Sequence, residues 1–202
     1  MAGRTMNNSL FFRLLAACCL MGAGLSACGR ETPPLAGAKI GGPFTLTDQD
    51  GRRVSDSQFA GRYRLVYFGY TYCPDVCPLD VQNLALGLKQ LEESDPGKAE
   101  KIQPIFISID PARDTPEVLK QFVSAFHPRL IGLTGTEAEI ATVAKEFAVY
   151  YKKQPPAPDT SGYLVDHLRQ AMLFGPKGEP LALIPQEEGA EPIAAELARW
   201  TK

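Results

Sequence analysis

Histidine is scarce in this chain: 202 residues contain two, His127 and His167. Methionine is nearly as sparse, and Met1, Met6 and Met21 lie in the first 21 residues, leaving Met172 as the fourth. A methionine-rich metal-capture surface is therefore excluded, and strand packing is the default role for Met172. Excess basic charge is missing too. Lys and Arg number 21 against 23 Asp and Glu, a formal charge of -2, so no broad cationic field exists to hold a phosphate backbone, and no nucleic acid is expected as a partner. Long apolar runs are absent as well. Leu14 to Leu25 spans only roughly 18 Å as a helix against a bilayer core of about 30 Å, too short for a good permanent membrane anchor. No internal repeat is evident, and the length suits one domain.

The first 27 residues hold Arg4 and Arg13, no acid, and that short apolar stretch, and they end at Leu25-Ser26-Ala27 before Cys28. This is the pattern of a secretory signal, and its ending resembles a bacterial lipobox, whose cysteine is diacylated and becomes the new first residue. Two acyl chains anchor stably where one does not. A plain signal peptide or an uncleaved anchor is the alternative, but a free exposed thiol is a liability in an exported protein. The expected organisation is a signal over residues 1–27, a lipidated tether over 28–43 and a domain over 44–202. Loss of the leader takes the charge from -2 to -4. The product is an exported, membrane-anchored lipoprotein facing the periplasm or another extracytoplasmic space. Of five cysteines, Cys18 and Cys19 leave with the leader and Cys28 goes to lipid. Cys73 and Cys77 remain, in a compartment where neighbouring thiols are oxidised together or held by a metal.

The tether is rich in Pro and Gly and without apolar period; about 14 extended residues reach at most roughly 45 to 50 Å. Phe44 to Val54 around Asp50-Gly51 reads as a hairpin. Arg64 to Tyr70 and Ile102 to Ile109 read as buried strands. Val81, Leu84, Leu88 and Leu91 mark a helix face. Thr115-Pro116-Glu117 starts a second helix, and Thr136 with Glu139 forms a capping box for a third. A short strand is expected near Leu130 to Leu133, and an irregular loop after Tyr151, where Pro155, Pro156 and Pro158 cluster. His167 to Phe174 and Leu181 to Ile184 read as two strands about a Gly-Pro-Lys-Gly turn, and Glu191 to Trp200 as a closing helix. This order predicts an α/β fold whose central sheet is flanked by helices, preceded by an N-terminal β-hairpin.

Thr71-Tyr72-Cys73-Pro74-Asp75-Val76-Cys77-Pro78 sits where a strand hands over to a helix, and N–H groups at a helix start favour thiolate. Thiolates are both the nucleophile of disulfide exchange and the ligand of soft metals. A four-residue helical step rises about 6 Å and puts both side chains on one face. That permits a disulfide and equally permits two sulfurs on one ion. His127, at a helix end, reads as a structural histidine bonded to terminal carbonyls. His167 follows a flexible loop beside Asp166, which could orient its ring; ligand and strand residue are equal readings. Two thiolates with one imidazole would suit copper, sulfur favouring Cu(I) and nitrogen helping to accept Cu(II). Structural zinc wants four protein ligands, and no fourth is obvious.

Three ordered motifs resemble the Sco/SenC family of copper delivery to cytochrome c oxidase: Tyr70 to Pro78, Ser108 to Glu117, and Tyr163-Leu164-Val165-Asp166-His167, within a match from about Gly41 to the C-terminus. The resemblance implies a thioredoxin-like fold and copper, as Cu(I) and Cu(II), held by Cys73, Cys77 and His167. It implies a metallochaperone that assists assembly of the oxidase's dinuclear copper site. The copper-receiving oxidase subunit is the expected partner, with other copper chaperones or thiol reductants as further candidates. The alternative is a thiol-disulfide oxidoreductase using Cys73 and Cys77 as a redox-active pair on that subunit or on other exported proteins; a peroxide-scavenging thiol enzyme is weaker. Leu168 stands where the family usually has a small residue, and many members carry a membrane helix in place of a lipobox. Gly29 is not the aspartate tied to inner-membrane retention in some bacteria. Asp110, Arg113 and Asp114 belong to the second motif, but turn and capping roles explain them. The loop from Pro155 to Ser161 is expected to close His167 onto the thiolates as copper binds.

Overall fold

The computed structural model describes residues 31–156 and 162–202. The leader, Cys28 and the centre of the proline-rich loop, residues 157–161, lie outside the described residues.

The hairpin predicted at the start of the domain is β1, Thr45–Asp48, and β2, Arg53–Ser55. Asp48 shapes its turn: one carboxylate oxygen accepts the N–H groups of Asp50 at 2.9 Å and Arg52 at 2.8 Å. Gly51 follows with φ +77°, the left-handed region that costs glycine little. β3, Tyr63–Gly69, and β4, Ile102–Ser108, are buried over all seven residues each. Strands apolar on both faces need cover on both, which a parallel sheet between helices supplies. Beside them run β5, Ile131–Thr134, and, on the other flank, β8, Ala171–Phe174, and β9, Pro180–Ile184. The seven strands lie in the order β2-β1-β5-β4-β3-β8-β9, with β3, β4 and β5 parallel and the outer strands antiparallel to their neighbours.

The helices are α1, Val76–Ser94; α2, Pro96–Ala99; α3, Pro116–Ser124; α4, Glu137–Glu146; and α5, Ala190–Trp200. Thr115 caps α3, its hydroxyl accepting the Val118 N–H at 3.4 Å with Pro116 in the first turn. Thr136 and Glu139 form the expected capping box on α4. Side chains alternate across a strand, so Tyr67 and Phe106 face α1 and α3, where Phe106 meets Phe122 at 5.0 Å. Phe68 points the other way, to Phe147 just after α4, which also meets Phe174. α5 lies against α1 at Gly87: a Cβ there would come 2.3 Å from Ile193, so the two helices approach as closely as they do only because the residue is glycine.

Three expectations change. Residues 33–43 are not a free tether. The compact unit runs from Pro33 to Lys202, with the Leu35 N–H donating to Leu181 O at 3.0 Å and the Gly41 N–H to Glu146 O at 2.8 Å. The strand expected from His167 to Phe174 is two: β7, Val165–His167, then a break, then β8. The segment read as irregular after Tyr151 begins with β6, Tyr151–Lys153, which pairs antiparallel with β7 in a separate two-stranded ribbon, Tyr151 opposite His167. Both ribbon strands are three residues long and half-exposed, too short for apolar alternation to mark them in a sequence.

Candidate metal centre

The chain leaves the carboxyl end of β3 and enters α1 through the cysteine motif, at the end of a parallel sheet where open α/β folds place their sites. The four-residue helical step expected between the cysteines is not formed. α1 starts at Val76 with Asp75 before it, and Cys73 lies in the turn ahead, its N–H bonded to Tyr70 O at 3.3 Å. Pro74 is the physical reason, since a residue before proline is driven out of helical backbone. Pro78 falls in the first turn, where no N–H is needed. The geometry still joins the pair: the Cys77 N–H donates to Cys73 Sγ at 3.4 Å.

Both cysteines are free thiols, Cys73 at 7% and Cys77 at 0% exposure. Their environments push them apart. Cys73 is pulled down to about 3, chiefly by the hydrogen bond from Cys77, with the N–H groups of Asp75 and Cys77 adding to it against burial. Cys77 is pushed up, because its S–H donates a hydrogen bond to the Cys73 sulfur and is buried. The metal-free pair therefore holds one proton and one negative charge, with Cys73 as the thiolate.

β7 brings His167 to the same point. Its Nε2 lies 3.2 Å from Cys77 Sγ, and its Nδ1 lies 3.1 Å from the Leu168 carbonyl. A carbonyl only accepts, so Nδ1 carries the hydrogen and Nε2 turns a lone pair toward the thiols. Asp166, expected to orient this ring, does not: its carboxylate accepts from Gln154 Nε2. Adjacent strand residues point to opposite faces, which is why the neighbour in sequence is not the partner in space. The rings of Tyr67 and Tyr70 lie nearly perpendicular to the imidazole, with centroids at 6.4 and 6.1 Å.

Two sulfurs and one imidazole nitrogen suit a soft or borderline metal in donor chemistry and in convergence. In the metal-free arrangement they touch each other. Among the described residues no three His, Cys, Asp or Glu are spaced as ligands of one ion. Cys73, Cys77 and His167 would hold such an ion, the sulfurs as soft donors and Nε2 as the nitrogen donor.

Turn and capping roles do not exhaust the second motif. Asp114 is fully buried and accepts the N–H of Thr71 at 3.0 Å, its hydroxyl at 2.6 Å and that of Ser108 at 2.6 Å, tying the loop before Cys73 to the end of β4. Burial holds its carboxyl above the usual range. Asp110 accepts from Arg113 Nε at 2.5 Å and from the Tyr163 hydroxyl at 2.7 Å. The Arg113 guanidinium lies 3.8 Å over the ring of Tyr163 and 4.9 Å from that of Tyr72, so it joins the cysteine loop to the segment leading into β7. The sequence signal was three charged residues within five positions directly after a buried strand. His127 stands apart from this centre: it is buried, its Nδ1 accepts the Arg129 N–H at 3.2 Å, and Nε2 faces Glu92 at 3.4 Å.

The SCO1/SenC family model matches residues 32–202. The chain belongs to the SCO1/SenC family. It is 42% identical over 140 residues to the mitochondrial protein SCO2 of Saccharomyces cerevisiae, a span covering 69% of this chain and 46% of that one. The chain spans about half the length of the curated mitochondrial relatives it matches. Among solved structures it resembles Bradyrhizobium japonicum ScoI with copper bound, at 40% identity and a TM-score of 0.71, covering 80% of this chain and 99% of that one. The thioredoxin domain of a Bacteroides vulgatus thiol-disulfide oxidoreductase, at 16% identity and a TM-score of 0.56, covering 83% of this chain and 98% of that one, shares the fold alone. The fold of this SCO1/SenC chain is thus thioredoxin-like.

Proposed function

We propose that the protein is a copper metallochaperone that takes up Cu(I) or Cu(II) through Cys73, Cys77 and His167 and passes it to the copper-receiving subunit of cytochrome c oxidase. The observation that carries this reading is the convergence of two thiols and the Nε2 lone pair on one point at the end of the sheet. Two relatives support it: the 40% identical ScoI, which holds copper, and BsSco, a solved member of the Sco family of cytochrome c oxidase assembly proteins. In this reading Cys73 is a ready thiolate and Cys77 loses its proton to solvent as the metal takes its place, so loading releases acid. Cys28 carries the lipid that holds the domain at the outer side of a membrane; among the described residues no helix is long and apolar enough to cross one.

One observation favours a second reading. The protonation split between the thiols is that of an attacking thiolate and its resolving partner. Cys73 Sγ would attack a partner disulfide, forming a mixed disulfide and releasing one partner thiolate. Cys77, having lost its proton, would then attack the Cys73 sulfur, closing the intramolecular disulfide and releasing the second partner thiolate. Copper titration of wild type and His167→Ala separates the two. A metallochaperone loses copper affinity with the imidazole; an oxidoreductase exchanges disulfides with an oxidase peptide equally well without it.

A further inference from the structure

β7 carries a proposed metal ligand, yet it lies outside the seven-stranded sheet and among the described residues has only the three-residue β6 as a strand partner. Three backbone contacts add to this, the Gln154 N–H to Leu164 O at 2.8 Å, the Val165 N–H to the Tyr70 hydroxyl at 3.2 Å and the Leu168 N–H to Tyr150 O at 2.9 Å. So slight a ribbon does not by itself fix an imidazole to a fraction of an ångström. Beside the Arg113–Tyr163 contact that precedes β7, a second connection to the cysteines, on the far side of His167, runs through Asp80. It lies three residues after Cys77 on α1, its side chain is 1% exposed, and it receives Arg169, two residues beyond His167, in a two-pronged contact: Nη2 to Oδ1 at 2.8 Å and Nε to Oδ2 at 3.1 Å.

The carboxylate is held in turn by the Tyr67 hydroxyl at 2.7 Å, from the strand that leads into the cysteine motif. The backbone of Arg169 is braced from the same helix, since Gln186 Nε2 donates to Arg169 O at 2.9 Å while Asn83 Nδ2 donates to Gln186 O at 2.9 Å. Arg169 Nη1 faces Glu187 at 3.1 Å on the exposed side. A planar guanidinium on a buried carboxylate fixes direction as well as distance, which an ammonium does not.

We infer that Asp80 and Arg169 are positioning residues that set His167 against the thiol pair by clamping the strand that carries it to the helix that carries Cys77. This goes beyond the metallochaperone reading and rests on it only for the copper arm of the test. Without the clamp the ring turns more freely, and Nδ1 is no longer held to Leu168 O.

The test is a double-mutant cycle with two readouts. In the metal-free protein, imidazole ¹⁵N spectra of wild type give one neutral tautomer for His167; in Arg169→Gln the two nitrogen shifts move toward each other as tautomers average. Asp80→Asn, which keeps the volume and still accepts from Tyr67, gives the same change and guards against a variant that fails to fold. In the copper arm, Arg169→Gln raises the dissociation constant about 10- to 100-fold, as loss of a ligand's supporting contact does. In a His167→Ala background the same change alters it less than about twofold, because residues acting through one group are not additive. Unchanged imidazole spectra in both variants, or equal losses of affinity with and without His167, overturn the inference. Altered spectra together with a copper affinity indifferent to His167 sustain the clamp and reject the metallochaperone reading.

Discussion

Two cysteines with one spacing have unequal chemistry because of where proline and the helix start fall. Pro74 keeps Cys73 out of the helix, and the first N–H groups of α1 then turn toward its sulfur. Cys77, the second residue of α1, is sealed and holds the shared proton. This predicts the reactivity of the metal-free pair. An ordinary thiol, with a pKa near 8.5, gains about tenfold in alkylation rate per pH unit below that value, whereas a Cys73 thiolate formed at about 3 reacts at a rate flat from about pH 5 to 8. Mass spectrometry after brief iodoacetamide treatment should find the label on Cys73 at every pH in that window. A rate rising tenfold per unit, or label first on Cys77, would contradict the split. Residue identities made the donors legible in sequence, Cys73 and Cys77 by elimination and His167 through resemblance. The tautomer was not legible, because it depends on a carbonyl, Leu168 O, that any residue supplies.

At the scale of elements, local rules were strong where side chains speak to their own backbone. The Asp48 turn, the Thr115 cap and the Thr136–Glu139 box are each complete within a few residues, and each stands where the sequence put it. The β6–β7 ribbon escaped because its pairing joins residues on either side of a proline-rich loop and has no apolar period. Asp80 was passed over because one carboxylate on a helix face reads as solvated until a partner 89 positions away is seen. The capping box gives a clean control for stability against function. Thr136→Ala should cost about 1 kcal/mol in urea unfolding, with the alkylation of Cys73 unchanged, since α4 covers the sheet on the face away from the thiols. A loss below about 0.3 kcal/mol would show the box to be redundant with Arg53, which also holds Glu139 at 2.6 Å.

For the whole molecule, the docked segment before β1 shortens the distance the domain can stand from its proposed lipid anchor. Residues 33–43 hydrogen-bond to β9 and to the end of α4, and Ile40 packs on the core. A chain beginning at Phe44 should therefore be less stable than one beginning at Pro33 by about 1 to 3 kcal/mol for the two hydrogen bonds alone, a drop of several degrees in Tm. Equal melting temperatures would return the segment to the tether. Composition and element order had bounded the architecture, an α/β sheet covered on both sides, but not the docking of a glycine- and proline-rich strap with no pattern of its own. The central claim, that two sulfurs and one imidazole at the carboxyl end of this sheet hold copper, is tested most directly by X-ray absorption at the copper edge on the loaded protein. Wild type should show two sulfur donors and one nitrogen donor, and His167→Ala should lose the nitrogen and keep both sulfurs. A nitrogen shell unchanged by that substitution, or fewer than two sulfurs in wild type, would contradict it.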